Sequence, residues 1–159
     1  MKTRKATIQD KEGIANVLKQ SYNIKTTEEG IEVFENERLK GHNYIIAEEE
    51  GKIVGIVTWT IHDLPKHELA ELNRIAVLPE MKGKGAAQQL FNALVEDAKK
   101  FYETKGHKLR KLYLLTHASN KRAQTFYEKL GFKHETTLKE HYYKGEDEFV
   151  YSIFFKDDN

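Results

Sequence analysis

Residues 82–87 read KGKGAA, a stretch that combines bare backbone with positive charge. Gly83 and Gly85 leave their amides accessible to a ligand, and Lys82 and Lys84 supply two cations. The apolar residues that follow recur at three- and four-residue steps, which predicts an amphipathic helix that begins here. Because the amides and the dipole of a helix N-terminus favour an anion, this stretch predicts a phosphate site, with an ordinary tight turn as the alternative.

The neighbouring residues narrow the choice of phosphate ligand. Ala86 and Ala87 keep the side chains short where a ligand would approach the backbone. A nucleotide-binding P-loop ends in Gly-Lys-Ser or Gly-Lys-Thr, which the sequence GKGAA lacks. The dinucleotide fingerprint requires a third glycine where Gln88 stands and an acidic residue at a later strand end. Both of these nucleotide sites are therefore excluded.

The first half of the chain predicts two helices and a group of strands. After a short strand in RKATIQD, Asp10 is expected to cap the first helix, and the second is expected to run from Thr27 to Leu39. NYIIAEE and IVGIVTWTIHD flank the turn EGK and predict a hairpin, and residues 68–78 predict a further strand. The helical side chains expected to face inward are Ile14, Val17, Leu18, Ile31, Phe34 and Leu39.

The second half predicts two more helices and three strands. The long helix after the glycines is expected to stop at Gly106, and KLYLLTH has the length and composition of a strand. NKRAQTFYEKLG predicts a short helix between a capping Asn120 and Gly131, and FKHETTLKEHYY and EDEFVYSIFF predict a closing strand pair. The expected fold is α+β, with one strand–helix–strand crossover in a mostly antiparallel sheet. The inward residues expected of the long helix are Ala87, Leu90, Phe91, Leu94, Ala98 and Phe101.

The composition, with 39% hydrophobic and 32% charged residues, is typical of a globular protein and predicts a single domain over residues 1–159. The 26 basic and 25 acidic residues nearly cancel, so no overall field recruits nucleic acid or an anionic membrane. The chain contains no cysteine, which excludes thiolate metal sites and cysteine nucleophiles and suits a reducing compartment. Since no signal-like or membrane-length apolar run is present, a cytoplasmic location is expected.

Two motifs resemble those of the GNAT superfamily of N-acetyltransferases. The loop of that family, Arg/Gln-x-x-Gly-x-Gly/Ala, matches KGKGAA at Gly85 and Ala87, with Lys82 in place of the usual first residue. NKRAQTFYEKLGF matches the second signature, Asn-x-x-Ala-x-x-Phe-Tyr-x-x-x-Gly-Phe, about 35 residues later. The order of elements over residues 3–155 agrees with the family fold. The resemblance implies a mixed, mostly antiparallel sheet of six or seven strands flanked by about four helices.

The resemblance also implies that the protein binds acetyl-CoA and transfers its acetyl group to a primary amine. The pyrophosphate would lie on the KGKGAA loop, while Ile75 and Val77 would present backbone groups to the acetyl-pantetheine arm. Asn120 would either contact that arm or only cap its helix. The residues expected to bind the cofactor are Ile75, Ala76, Val77, Lys82, Gly83, Lys84, Gly85, Ala86, Ala87, Asn120, Ala123 and Phe126.

A base is needed because an alkyl amine titrates near pH ~10 and must lose a proton before it can attack. Glu71, in the strand ELAELNRIAV, matches the position of the general base in some family members. The alternatives are Glu68, Asn73 or an ordered water as the base. In a purely structural role, Glu71 would instead face solvent and pair with Arg74.

Tyr127 matches the general acid of the family, which protonates the departing thiolate. A phenol of pKa ~10 protonates a thiolate of pKa ~8.5 uphill, so the donation would be concerted with collapse of the carbonyl adduct. The alternative for Tyr127 is simple packing beside Phe126.

Several other features leave alternatives open. The alternative to an enzyme is a CoA sensor, which would keep the same loop but catalyse no reaction. Exposed strand edges could pair two copies of the chain as a homodimer. The basic stretch KKFYETKGHKLRK could touch nucleic acid, but charged helix ends are usually only solvated, so no nucleic-acid partner is expected.

Residues 21–50 hold eight acidic and three basic groups, which could attract a polyamine or form an exposed face. His62 and His67 do not have the spacing of a helical ligand pair, so no metal is expected. The acceptor stays open between a small amine, a polyamine and a polypeptide.

Overall fold

The computed structural model describes residues 1–155, so the predicted single domain over 1–159 extends outside the described residues. Within that range the chain forms seven strands and four α-helices. They are β1 (Lys2–Lys5), α1 (Lys11–Ser21), α2 (Thr27–Leu39), β2 (Asn43–Glu49), β3 (Lys52–Ile61), β4 (Leu69–Val77), α3 (Ala86–Thr104), β5 (Lys111–His117), α4 (Lys121–Lys129), β6 (Lys133–Tyr143) and β7 (Glu146–Phe154).

The strands form a sheet in the order β1-β2-β3-β4-β5-β7-β6. β1 pairs antiparallel with β2, β2 with β3, β5 with β7, and β6 with β7. β4 and β5 are parallel, with Leu69–Glu71 opposite Lys111–Tyr113, and α3 connects them in sequence. The predicted α+β class, with a mostly antiparallel sheet of seven strands and four helices, is confirmed.

Backbone contacts divide the chain into two compact units. The first contains Met1–Thr60 and Asn73–Lys100. Its polar Trp59 indole is satisfied inside the core, because Nε1 donates to Asp97 over 2.9 Å. The buried apolar side chains of this unit include Ile14, Val17, Leu18, Phe34, Ile46, Ile56, Val57, Trp59, Leu90 and Leu94.

The second unit contains Ile61–Leu72 and, within the described part of the chain, residues 101–155. Side chains alternate along β5, because Leu112, Leu114 and Thr116 are buried whereas Tyr113 is only half-buried. Tyr113 therefore lies on the face opposite to the one that carries these buried residues. The buried side chains of the second unit also include Tyr102, Leu109, Phe132, Val150 and Tyr151.

One prediction about the core is wrong. Leu39 was predicted to face inward but is 87% exposed, whereas Phe34 is fully buried. Leu39 is five residues beyond Phe34, which rotates its side chain by about 140° around the helix. The last residue of α2 therefore lies off the apolar stripe that the earlier positions define.

Asp10 also behaves differently from its predicted role as a helix cap. It occupies the residue before α1, but its side chain makes no capping hydrogen bond. Instead, its carboxylate accepts two hydrogen bonds of 2.8 Å from Arg4 and one of 2.7 Å from the Thr7 amide. These bonds, those from Arg4 first, hold the pKa of Asp10 below its ordinary value.

We expect Asp10→Asn to lower the free energy of unfolding by about 1–3 kcal/mol at pH 7, as for other hydrogen bonds to charged groups. Since the folded-state pKa is depressed, this stabilisation is present above the unfolded pKa, near ~4, and is lost as the pH falls through the folded pKa. Urea denaturation at a series of pH values measures the difference. Glu12→Gln, at an exposed position of α1, is the control, and a loss that does not shrink in acid would contradict the assignment.

Candidate functional site

The start of α3 leaves several backbone amides without helical acceptors. The Gln89 amide donates to the Gly85 carbonyl over 3.1 Å, so Gly85 supplies the first carbonyl of the helix. In such a helix the amides of Gly85, Ala86, Ala87 and Gln88 have no carbonyl one turn earlier to accept from them. These four donors therefore point out of the N-terminus, where the helix dipole is positive.

The loop before α3 owes its shape to two glycines in left-handed backbone. Gly83 has φ +80° and Gly85 has φ +81°. A Cβ added at either position would meet no atom within 4 Å, so conformation, not crowding, requires glycine here. Lys82 and Lys84 are exposed on the same loop.

The N-terminus of α2 has a side-chain cap that the N-terminus of α3 lacks. In α2, the Thr26 hydroxyl accepts a hydrogen bond from the Glu29 amide. α3 has glycine at the corresponding position and no acidic residue in its first turn. Glu80, which lies shortly before the loop, pairs with Lys52 at 3.3 Å. The first turn of α3 therefore has neither a capping hydroxyl at the preceding residue nor an acidic side chain of its own.

The expected cofactor strand segment lies in the same unit as this loop. Of its three residues, Ala76 is buried, and Ile75 and Val77 are half-buried. The preceding Arg74 donates to Glu37 over 3.0 Å, and its guanidinium lies over the Tyr22 ring, 4.6 Å from the centroid. Arg74 therefore pairs with Glu37, and not with Glu71 as the structural alternative assumed.

Tyr22 and Tyr44 complete the surroundings of Arg74. Tyr44 donates a hydrogen bond to Glu37, so one carboxylate links α2 to both β2 and β4. Burial raises the pKa of Tyr22, while Arg74 and the backbone amide of Ile75 act in the opposite direction. Burial and then Glu37 raise the pKa of Tyr44, so both phenols stay protonated at neutral pH. This cluster fixes the backbone of β4 next to Ile75.

Glu71 lies in the second unit and is one of the half-buried residues of β4. Its Oε1 accepts a hydrogen bond of 3.1 Å from the Tyr113 hydroxyl, which is 3.1 Å from Nδ1 of His62. Burial, followed by the negative charge of Glu71, raises the pKa of Tyr113. The base candidate is therefore held by a neutral hydrogen-bond donor.

The two alternative bases have different surroundings. Glu68 accepts a hydrogen bond of 2.8 Å from the Lys108 amide and lies 3.6 Å from Nδ1 of His107. Asn73 has a buried side-chain oxygen without a hydrogen-bond partner, and an amide is not a base at neutral pH. Glu68 is therefore occupied with the backbone of the segment that leads into β5.

The second signature forms α4 as predicted. The Asn120 side chain accepts a hydrogen bond of 3.1 Å from the Ala123 amide, so its predicted capping role is confirmed. Tyr127 is half-buried, with its ring centroid 5.4 Å from that of Phe126 and 5.9 Å from that of Phe132. The aromatic packing that was the alternative for Tyr127 is thus present.

Comparison with known proteins decides the family. Residues 12–132 match the model of the family described as Acetyltransferase (GNAT) family. The chain belongs to this family. It is 30% identical over 142 residues to the uncharacterized N-acetyltransferase YjgM of Escherichia coli K12, covering 82% of this chain and 81% of that protein. Because such relatives are named as N-acetyltransferases, the protein is identified as an N-acetyltransferase.

Two solved structures share the fold of this acetyltransferase. An N-acetyltransferase from Staphylococcus aureus Mu50 is 25% identical, with a TM-score of 0.72 and 98% of both chains covered. An aminoglycoside 6'-N-acetyltransferase complexed with coenzyme A is 15% identical, with a TM-score of 0.80 and all of both chains covered. At that identity the second likeness shows the fold alone.

The predicted site residues of the acetyltransferase fall into two groups. The first unit contains the cofactor residues of β4, the loop and the start of α3, from Ile75 to Ala87. The second unit contains Glu71 and the α4 residues Asn120, Ala123, Phe126 and Tyr127.

Sequence reasoning missed Tyr113, His62, Glu37 and Tyr22. Alternation in KLYLLTH does place Tyr113 away from the buried leucines, but only the β4–β5 register sets it opposite Glu71. His62 was predicted to be a surface histidine, and it is exposed, yet it also contacts Tyr113. Glu37 was counted only within an acidic stretch, although it is 17% exposed and paired with Arg74.

Among residues 1–155, no three His, Cys, Asp or Glu side chains are grouped so that they could hold a metal ion. Across the same range, the helices are too short or too polar to cross a bilayer.

Proposed function

We propose that this acetyltransferase transfers acetyl from acetyl-CoA directly to a primary amine, with Glu71 or an ordered water as general base and Tyr127 as general acid. The observation that carries the proposal is the start of α3, where four amides follow a loop with two exposed lysines, a glycine stands in place of a capping side chain and the first turn has no acidic residue. A pyrophosphate supplies the two negative charges and the acceptor oxygens that such a site lacks.

The remaining cofactor contacts are proposed on β4 and on α4. Backbone groups of Ile75, Ala76 and Val77 would pair with the pantetheine arm as a strand edge pairs with an extended peptide. On α4, the cofactor contacts would come from Ala123 and Phe126, which are half-buried. Asn120 would contribute mainly by fixing the first turn of that helix.

The chemistry requires a balanced movement of protons. At neutral pH the acceptor arrives mostly as an ammonium ion, and Glu71 takes a proton from its nitrogen. The nitrogen attacks the carbonyl, the C–N bond forms and the C–S bond breaks, while Tyr127 gives its proton to the sulfur. Two protons leave the nitrogen in each turnover: Glu71 takes one and releases it to solvent, and the other returns through water to Tyr127, in place of the proton given to sulfur. Direct transfer is also favoured by the absence of cysteine from the sequence.

A thiol-release assay with acetyl-CoA and a panel of amines tests this function. The panel includes a simple alkylamine, a polyamine, an aminoglycoside and a peptide with a free N-terminus. Since the chain has no cysteine, a thiol-reactive dye reports only released CoA. Binding of acetyl-CoA without transfer to any member would favour a sensor. Intact-mass analysis after mixing with acetyl-CoA alone should show no acetylated protein, and an acetylated species preceding product would contradict direct attack.

We expect Glu71→Gln to lower kcat by about 100-fold at pH 7, because the amide cannot accept the amine proton. The affinity for acetyl-CoA should stay unchanged in calorimetric titration. Glu68→Gln is the matched control in the same part of the chain and should retain activity. If Glu68→Gln is the variant that loses turnover, the roles of the two residues are reversed, and if neither does, water is the base.

A further inference from the structure

We propose that Tyr113 and His62 relay the proton taken up by Glu71 out to solvent. This proposal rests on the proposed role of Glu71 as the base. The three side chains come from separate segments of the second unit: Glu71 from β4, Tyr113 from β5 and His62 from the residue after β3. They form a continuous hydrogen-bonded series that ends at an exposed imidazole.

Backbone pairing holds the series in place. Glu71 and Tyr113 lie directly opposite each other in the parallel register, which brings their side chains to the same face. The His62 amide donates to the Leu69 carbonyl over 3.0 Å, so the imidazole is anchored beside the start of β4. The His62 and Tyr113 rings meet edge to face, with centroids 5.6 Å apart and planes at 85°. The two hydrogen bonds of 3.1 Å therefore join groups that the fold positions independently.

The single proton of the phenol sets the direction of both bonds. Because Tyr113 donates this proton to Glu71, its oxygen can only accept from His62. Nδ1 of His62 therefore carries a hydrogen in this arrangement. This is the arrangement expected after a proton has been released to solvent. Glu71 is then ionised, and both hydrogen bonds of the series donate in its direction.

The proposed transfer runs this series in the opposite direction. After Glu71 takes the amine proton, its new O–H donates to the Tyr113 oxygen, and the Tyr113 proton moves to Nδ1 of a neutral His62 that holds its hydrogen on Nε2. Water then removes the Nε2 proton from the imidazolium. Glu71 is again a carboxylate, Tyr113 is again a phenol and His62 carries its hydrogen on Nδ1, as in the structure. Exchange of the exposed imidazole with water resets the tautomer before the next turnover.

Tyr113 passes on a proton as it receives one, so it never becomes a free phenolate. This matters because burial and the Glu71 carboxylate both raise the pKa of Tyr113 and disfavour the phenolate. Tyr142, on β6, faces the same groups, and its pKa is raised by burial and then by Glu71 and Glu148. Glu148, on β7, is itself hydrogen-bonded to His117. The carboxylates around the series thus favour movement of a proton over accumulation of negative charge on oxygen.

The test compares Tyr113→Phe and His62→Ala with the wild type in steady-state kinetics with the best acceptor of the panel. We expect each variant to lower kcat by about tenfold, with KM for acetyl-CoA within about twofold of the wild type, because proton removal from Glu71 becomes slow. Added imidazole should restore turnover to His62→Ala by replacing the missing ring. It should not restore turnover to the double variant, in which Tyr113 no longer links the ring to Glu71.

Two matched controls separate the relay from simple packing. Tyr151 donates to Glu128 over 3.1 Å, and His134 lies 3.1 Å from the Thr137 hydroxyl. Tyr151→Phe and His134→Ala therefore remove comparable bonds and should leave kcat and the response to imidazole unchanged. The relay is wrong if Tyr113→Phe and His62→Ala keep wild-type kcat, or if imidazole accelerates the controls as much as His62→Ala. If Glu71→Gln also keeps full activity, the proposed base itself fails.

Discussion

Acetyl-CoA should bind at least about 100-fold more weakly to the Gly85→Glu variant than to the wild type in calorimetric titration. The new carboxylate would lie at the first turn of α3, where the pyrophosphate is proposed to accept hydrogen bonds from the backbone. It would repel the two phosphate charges and offer the same amides a competing acceptor. The effect does not need a steric clash, since an added Cβ meets no atom within 4 Å.

The left-handed backbone of Gly85 makes a second control necessary. Any side chain at φ +81° costs about 1–2 kcal/mol, so part of the loss could come from strain in the loop. Gly85→Ala introduces this strain without charge and should weaken binding much less. Gly51→Glu adds the same charge at φ +77° in another open turn and should leave binding intact. Unchanged affinity in a folded Gly85→Glu protein would place the cofactor phosphates elsewhere.

Tyr127→Phe should reduce kcat by about 100-fold while the dissociation constant of acetyl-CoA stays close to that of the wild type. The substitution removes only the hydroxyl, so the ring contacts with Phe126 and Phe132 are preserved. Without a positioned acid, the sulfur must leave as a thiolate or take its proton from water. A KM for acetyl-CoA that rises while kcat is unchanged would assign Tyr127 to binding.

Tyr151→Phe serves as the control for loss of a phenolic hydroxyl elsewhere in the second unit. Thermal denaturation of both variants shows whether either substitution disturbs the fold. Equal losses of kcat in Tyr127→Phe and Tyr151→Phe, with equal losses of stability, would indicate a packing effect and contradict the role of Tyr127 as acid.

Local patterns predict the elements of this fold well. α2 has the bounds expected from its sequence, since Thr26 caps it and Phe34 lies on its buried face. The start of α3 follows from the two glycines, and that of α4 from Asn120. In each case, the residues that decide the structure lie within one or two helical turns of the boundary, so the sequence itself carries the signal.

Contacts between distant segments are harder to predict. The partner of Arg74 is Glu37, which a count of acidic residues in 21–50 could not distinguish from its acidic neighbours. The partner of Glu71 is Tyr113, 42 residues later, because a parallel register between β4 and β5 sets them opposite. Asp10 has the right type and place for a cap, but Arg4 competes successfully for its carboxylate. Such choices depend on charge partners and register, which short-range periodicity does not encode.

The glycine that precedes α3 would make the abundance of the protein depend on its cofactor. α2 carries its own N-terminal cap, whereas α3, the longest helix among residues 1–155, follows a glycine and would leave this role to the proposed phosphate. A ligand that completes the cap binds the folded chain and not the unfolded one, so cofactor at about 100 times its dissociation constant stabilises the fold by about 2.7 kcal/mol. Starvation for acetyl-CoA would then act twice, by removing a substrate and by exposing the enzyme to unfolding and proteolysis. The lifetime of the protein would thus follow the supply of the acetyl donor.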